Sequence, residues 1–125
     1  MAVRRRQREF KDLKVWQKAH RLTLDAYHAT RSFPREELFG ITSQIRRAAS
    51  SVPANIAEGC GHGGGDLSRF CVIAAGSASE LEYFFILAHD LELLDHATYD
   101  RLANQVEEVE RMLGGFIESL ESSAV

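Results

Sequence analysis

A chain of 125 residues with 45% hydrophobic and 26% charged residues lies near the globular average, enough for one domain with one core and unlike a disordered chain. No uncharged stretch is longer than FCVIAAGSAS at 70–79, about half of what a bilayer crossing needs, which argues against a membrane span. The formal net charge of −3 is unevenly spread: residues 1–21 carry eight Lys/Arg against Glu9 and Asp12, a net of +6, and leave the remainder at −9.

Residues 1–9 read as a basic, flexible arm that has no apolar run or cleavage site behind its charges, so a cytoplasmic location is expected. Three fates are open to such an arm: contact with nucleic acid, contact with the acidic body of a neighbouring copy, or solvation as a tail.

The bundle domain is expected over 10–121, with 122–125 as a tail. Four segments show helical apolar spacing and none alternates as a strand does. The first, about 11–31, places Leu13, Trp16, His20, Thr23, Tyr27 and Thr30 on one seam, with Ala19 and Ala26 beside it, and stops before Pro34. The second opens with Glu36 and Glu37 in its first turn, where the helix dipole favours carboxylates. It carries the seam Ile41, Ile45, Ala48, Val52, Ile56 and Gly59, and ends in a left-handed cap at Gly59 or Gly61. The third, about 66–93 with Asp66 as N-cap, has the seam Leu67, Phe70, Ala74, Ser77, Leu81, Phe85 and Ala88, widened by Ile73, Phe84, Leu87 and Leu91. The fourth, about 96–121, repeats Tyr99, Leu102, Val106, Val109, Leu113, Phe116 and Leu120. Long helices with short connections predict an all-α, up-down-up-down four-helix bundle. The surplus apolar surface of the third helix predicts self-association.

The stretch RRAASSVPANIAEGCGHGGG at 46–65 concentrates the candidate chemistry. Gln44, Arg47, Ser51, Asn55 and Glu58 form a polar stripe beside the apolar seam, where polar groups need partners. Glu80 falls within an apolar arc of the third helix, so it is expected to meet Arg47, Ser51 or Asn55 in an interhelical polar network. The alternative for Arg47, Glu58 and Glu80 is a catalytic or ligand site. Pro53 removes a backbone bond and crowds the carbonyl of Ala49. Either the chain breaks there into two short helices, or one long helix is bent at Pro53, and small neighbours on both sides favour the bend.

The glycine cluster has neither a preceding strand nor a following Lys-Ser/Thr pair, so it does not read as a phosphate loop. Cys60, His62 and Cys71 have no fourth ligand at a zinc spacing, and two cysteines in a reducing compartment read as structural thiols. No serine has a histidine placed to activate it. The expectation is a protein that is not an enzyme and holds no metal or cofactor.

The order FPREELFGITSQIRRAASSVPANIAEG followed by FCVIAAGSASELEY resembles the family of 23S rRNA intervening-sequence proteins, relatives of the accessory protein of diversity-generating retroelements. The likeness runs from about Phe10 into the last helix. It implies a small cytosolic bacterial protein of four helices, often assembled as a homopentamer. The retroelement relative implies nucleic-acid binding through a basic surface. Where the family tends to place basic residues after NIAEG, this chain has CGHGGGD, with Arg69 soon after. That departure weakens the implied RNA contact there, and the expected contacts to RNA or an RNA-bound protein are the basic residues of the N-terminal segment, Arg4, Arg5, Arg6, Arg8, Lys11, Lys14 and Lys18. The competing expectation is a structural or protein-interaction module without nucleic acid.

Overall fold

The computed structural model describes residues 9–62 and 65–123, and every regular element among them is helical. A 3₁₀ turn at Phe10–Asp12 leads into α1 (Lys14–Thr30). A second 3₁₀ turn, Arg35–Glu37, precedes α2 (Ile41–His62), and then follow α3 (Asp66–Asp90) and α4 (His96–Ser123). Contacts close a ring: α1 packs on α2 and α4, and α3 packs on the same two, with no packing across either diagonal among the described residues. Joined by short connections, these four make the expected four-helix bundle. Phe85, Leu22, Ile45, Ile56, Leu81, Leu102 and Leu113 are fully buried at its centre.

The seam of α1 differs from expectation. Val15, Ala19, Leu22 and Ala26 face the core, with Thr23 and Thr30 alongside, whereas His20 and Tyr27 are exposed and Trp16 is half-buried. One position along a helix is a turn of about 100°, so the helix sits rotated toward its smaller side chains. Alanines at 19 and 26 let α2 approach closely, and the aromatic residues flank the contact instead of filling it.

The second helix begins at Ile41, later than the acidic pair suggested. Glu36 and Glu37 belong to the separate 3₁₀ turn, where Glu37 N–H donates to Pro34 O at 2.9 Å and Gly40 N–H to Glu37 O at 3.0 Å. From Ile41 the expected seam holds, and Ile41, Ile45, Ala48, Val52, Ile56 and Gly59 are all buried. The helix runs through Pro53 without breaking. The Ala49 carbonyl, which has no proline N–H to bind, lies 3.0 Å from Thr23 Oγ1 of α1.

Nor does α2 stop at Gly59 or Gly61, since helical structure continues to His62. Gly59 serves instead as the point of closest approach to α3. A Cβ there would stand 2.9 Å from Phe70 Cβ and 3.2 Å from Leu67 Cα. Asp66 is the first residue of α3 and not its cap; Gly65 holds the cap position and makes no side-chain bond.

At its other end α3 closes with Glu92 in the left-handed region, φ 63°. Leu93 N–H reaches Ala88 O at 2.8 Å and Glu92 N–H reaches His89 O at 3.0 Å. This is the paired-bond helix terminator that glycine usually makes, here with a glutamate at the strained position. Asp95 then caps α4 by accepting the Thr98 N–H at 2.7 Å, which holds its carboxyl below the usual range. Along α4, Leu102, Val106, Val109 and Leu113 are buried as expected.

By length and composition α3 could cross a membrane. The central helix of a bundle passes the same test, and Leu67, Phe70, Cys71, Ala74, Ala78, Leu81, Phe85 and Ala88 bury one side of it in the core. Between α3 and α4, Glu110 accepts a bond from Ser79 Oγ at 3.2 Å. Its pKa is raised, first by partial burial and then by the neighbouring carboxyl of Glu82, which outweigh the serine bond.

Two outcomes follow from this packing. Gly59→Ala should cost about 1–3 kcal/mol in denaturant unfolding, because the nearest obstacle includes backbone that cannot swing aside. Glu110 has a folded pKa above its unfolded value, so its stabilising contribution is complete only when protonated and is lost as pH rises through the folded pKa. Glu110→Gln should therefore raise the melting temperature at neutral pH. The gain should shrink as the pH is lowered through the glutamate range.

Candidate functional site

The expected basic contacts divide. Arg4, Arg5, Arg6 and Arg8 lie outside the described residues. Lys11 and Lys14 are exposed, and Gln17 Nε2 donates to Lys11 O at 2.9 Å, tying the 3₁₀ turn to α1. Lys18 is drawn across to α4, 3.5 Å from Glu108. Beside these lysines stands an aromatic stack in which Phe10 and Trp16 are half-buried against the core and His20, expected on the core seam, is exposed. Phe10 meets Trp16 edge-on at 5.1 Å, and Trp16 lies nearly parallel to His20 at 5.0 Å. Lysines flanking stacked rings match the chemistry of single-strand binding surfaces, which join positive charge to π faces.

The polar network forms in part, with a different partner. Ser51 Oγ and Ser77 Oγ are 2.8 Å apart, joining α2 to α3, and Asn55 Nδ2 donates to Ser51 O at 2.8 Å and to Ser51 Oγ at 3.0 Å. Glu80, expected at this junction, is exposed and bonds to none of Arg47, Ser51 or Asn55. The arc that was thought to bury it is partly an outer surface, for Ile73 and Leu91 are exposed as well. The small hydroxyl of Ser77, one turn earlier, fits the close α2–α3 packing without a charge to desolvate.

Arg47 is exposed, and Glu58 pairs with His62 at 3.8 Å. No ion pair gathers Arg47, Glu58 and Glu80 into a site among the described residues. His62 also lies 3.5 Å from Asp66. Cys60 and Cys71 are buried and form no disulfide, and burial, with Cys60 adding to it, pushes Cys71 up to about 11, far from a reactive thiolate. The described residues contain no group of three or more side chains able to hold a metal ion.

One concavity was not legible in the sequence. An open cleft of about 470 Å³ lies where the end of α1 meets the start of α2. Arg46, half-buried, donates Nε–H to Thr30 Oγ1 at 2.9 Å and lays its guanidinium over Tyr27 at 4.8 Å. Arg47 follows it along the wall. Phe39, 92% exposed, projects at the rim. Thr42 is 3% exposed, and its Oγ1 has no hydrogen-bond partner, a deficit of about 1–3 kcal/mol in an ordinary interior.

No carboxylate lines this cleft, although Glu37 sits close by at Gly40. A second cavity of about 180 Å³ shares Thr42 and Arg46 and adds Arg31 and Arg35. The start of α2 contributes the positive end of its dipole to the same place. Only a paired arginine and a Phe-Gly before the helix start hinted at any of this in the sequence, and neither says that the Tyr27 ring and the Arg46 guanidinium meet.

The same fold occurs in a 1.70 Å crystal structure of a protein of unknown function from the S23 ribosomal protein family of Bacteroides thetaiotaomicron VPI-5482. Its TM-score is 0.73 and its identity 24%, over 82% of this chain and 97% of that one. No curated protein matches the chain. The family model described as 23S rRNA-intervening sequence protein matches residues 11–115, most of the four-helix body. The chain belongs to the 23S rRNA-intervening sequence protein family.

Proposed function

We propose that this protein is a non-enzymatic, cytoplasmic helical scaffold that works as a homo-oligomer, a pentamer by its family likeness, and carries RNA or a ribonucleoprotein on the basic residues of its N-terminal segment. The observation that carries the assembly is the outer face of α3. Val72, Gly76, Tyr83 and Ile86 are exposed along one side of the helix, with Ile73 adjacent. From Val72 the steps through Gly76, Ser79, Tyr83 and Ile86 are 4, 3, 4 and 3 residues, the spacing of a seam that seats a second helix. Nothing lies within 4 Å of a Cβ added to Gly76, so a neighbouring backbone has room to come close there.

Support for a nucleic-acid partner is the Phe10–Trp16–His20 stack with Lys11 and Lys14 beside it. A second reading, an interaction module without nucleic acid, draws on a different pair of contacts. Lys18 is already matched by Glu108 at 3.5 Å and Arg21 by Asp25 at 3.7 Å, which partly neutralises the basic segment within the fold.

One measurement addresses both parts: light-scattering mass of the purified full chain with co-purified nucleic acid quantified by absorbance. The expected mass is a multiple of the chain, falling to one chain in the Tyr83→Glu, Ile86→Glu double variant while helicity is kept. RNA bound by the full chain should be largely lost on deletion of residues 1–8. A monomeric mass at micromolar concentration rejects the assembly. RNA binding unchanged by the deletion rejects the arm as the contact, and no RNA binding at moderate salt selects the second reading.

A further inference from the structure

The cleft between α1 and α2 is organised for a ligand that the bundle itself does not supply. Arg46 has five N–H donors. One goes to Thr30 and the rest face no carboxylate, while Tyr27 holds the plane of the guanidinium from one side. Bonded to Thr30 and stacked on Tyr27 but without an anion, this half-buried cation is held in place before any ligand arrives. Arg47, one residue on, adds a second guanidinium with no ion pair among the described residues. Thr42, in the wall of the same cleft at the first turn of α2, keeps its hydroxyl buried behind that wall and offers the cleft no anion.

These groups select for negative charge. Guanidinium forks bind phosphate oxygens in pairs, and a helix start favours the same anion. Phosphate alone would leave the rest unexplained. The cleft holds about 470 Å³, within the size range of small-molecule sites. Phe39 offers an almost completely exposed ring at its rim. A flat ring attached to the phosphate would cover that surface by stacking.

We infer that this cleft binds a nucleoside monophosphate unit, with its phosphate on Arg46 and Arg47 and its base against Phe39. The unit is either a free mononucleotide or one residue of a single strand; both present the same chemistry. All lining residues come from positions 27–50, so the site is separate from the outer face of α3.

Calorimetric titration of the full chain with adenosine monophosphate, adenosine, inorganic phosphate and a short oligoadenylate tests it. Adenosine monophosphate or the oligoadenylate should bind at one per chain, with adenosine and phosphate each weaker by at least about tenfold, the scale of one stacking contact or one charge-assisted pair. Saturation by the mononucleotide identifies a free ligand, and binding of the strand alone identifies a strand. Phe39→Ala and Arg47→Gln, both at exposed side chains, should each weaken binding about tenfold with the melting temperature unchanged. Thr42→Val, at a hydroxyl closed off from the cleft, should leave binding unchanged and the melting temperature equal or higher, because it removes an unpaired hydroxyl. No binding of either nucleotide ligand at millimolar concentration overturns the assignment, as does binding that survives both Phe39→Ala and Arg47→Gln. Neither result depends on the oligomer mass, so the scaffold reading stands or falls separately.

Discussion

Pro53 has no N–H to offer, so the carbonyl of Ala49, one turn earlier in α2, loses its helical donor in a fully buried part of the bundle. Thr23 of α1 stands where that donor is missing. Its hydroxyl oxygen is 2.9 Å from Ala19 O and 3.0 Å from Ala49 O, and it has one proton to give. Ala19 O already has the helical N–H of residue 23, whereas Ala49 O has no helical donor at all. The proton is best placed on Ala49, which turns a backbone defect in one helix into the bond that seats its neighbour. A continuous α2 with proline in its interior thus requires α1 to present threonine, and not an apolar side chain, at this position.

From that contact the remaining polar ties fall into place around the ring. Thr30, two turns beyond Thr23 on the same stripe of α1, accepts from Arg46 and thereby fixes the cleft at the α1–α2 end. Ser51 and Ser77 join α2 to α3, Ser79 and Glu110 join α3 to α4, and Gln105 of α4 donates to Asp25 of α1 at 2.8 Å. Each adjacent pair of helices has a direction-dependent bond in addition to its apolar seam. Apolar seams alone set proximity; these bonds select the rotation of each helix about its axis. The rotated face of α1 is one result, since burying Thr23 and Thr30 leaves His20 and Tyr27 outside. Tyr27 is then available to hold Arg46, and Trp16 and His20 to stack.

Periodicity made the helices, their number and the seams of α2 and α4 legible, because those seams are long, regular and built from large aliphatic side chains. The face of α1 was not legible. Its core stripe consists of valine, leucine and alanine between bulkier aromatic residues, so size pointed to the wrong side. Glu80 was misplaced for a related reason: an apolar arc in sequence does not distinguish a surface turned to the core from one turned outward on α3. Gly59 looked like a terminator and is a contact point. Of the candidate site, the Ser51–Asn55 flank was visible as a polar stripe, but its partner Ser77 was read as part of an apolar seam. The Arg46 cleft was invisible because it depends on the turn between two helices, which puts Phe39 and Tyr27 on the walls of one cleft.

The bond between Thr23 and Ala49 is the claim on which docking, rotation and cleft all rest, and a double-mutant cycle with Pro53→Ala tests it most directly. Thr23→Val in the native chain should cost about 1–3 kcal/mol in equilibrium unfolding, the penalty of an orphaned buried carbonyl. In the Pro53→Ala background the alanine N–H takes over at Ala49, so the same substitution should cost distinctly less, with a coupling of at least about 0.5 kcal/mol between the two sites. Equal costs in both backgrounds would contradict the account, for Thr23 would then be packing against α2 without serving the carbonyl that proline leaves bare.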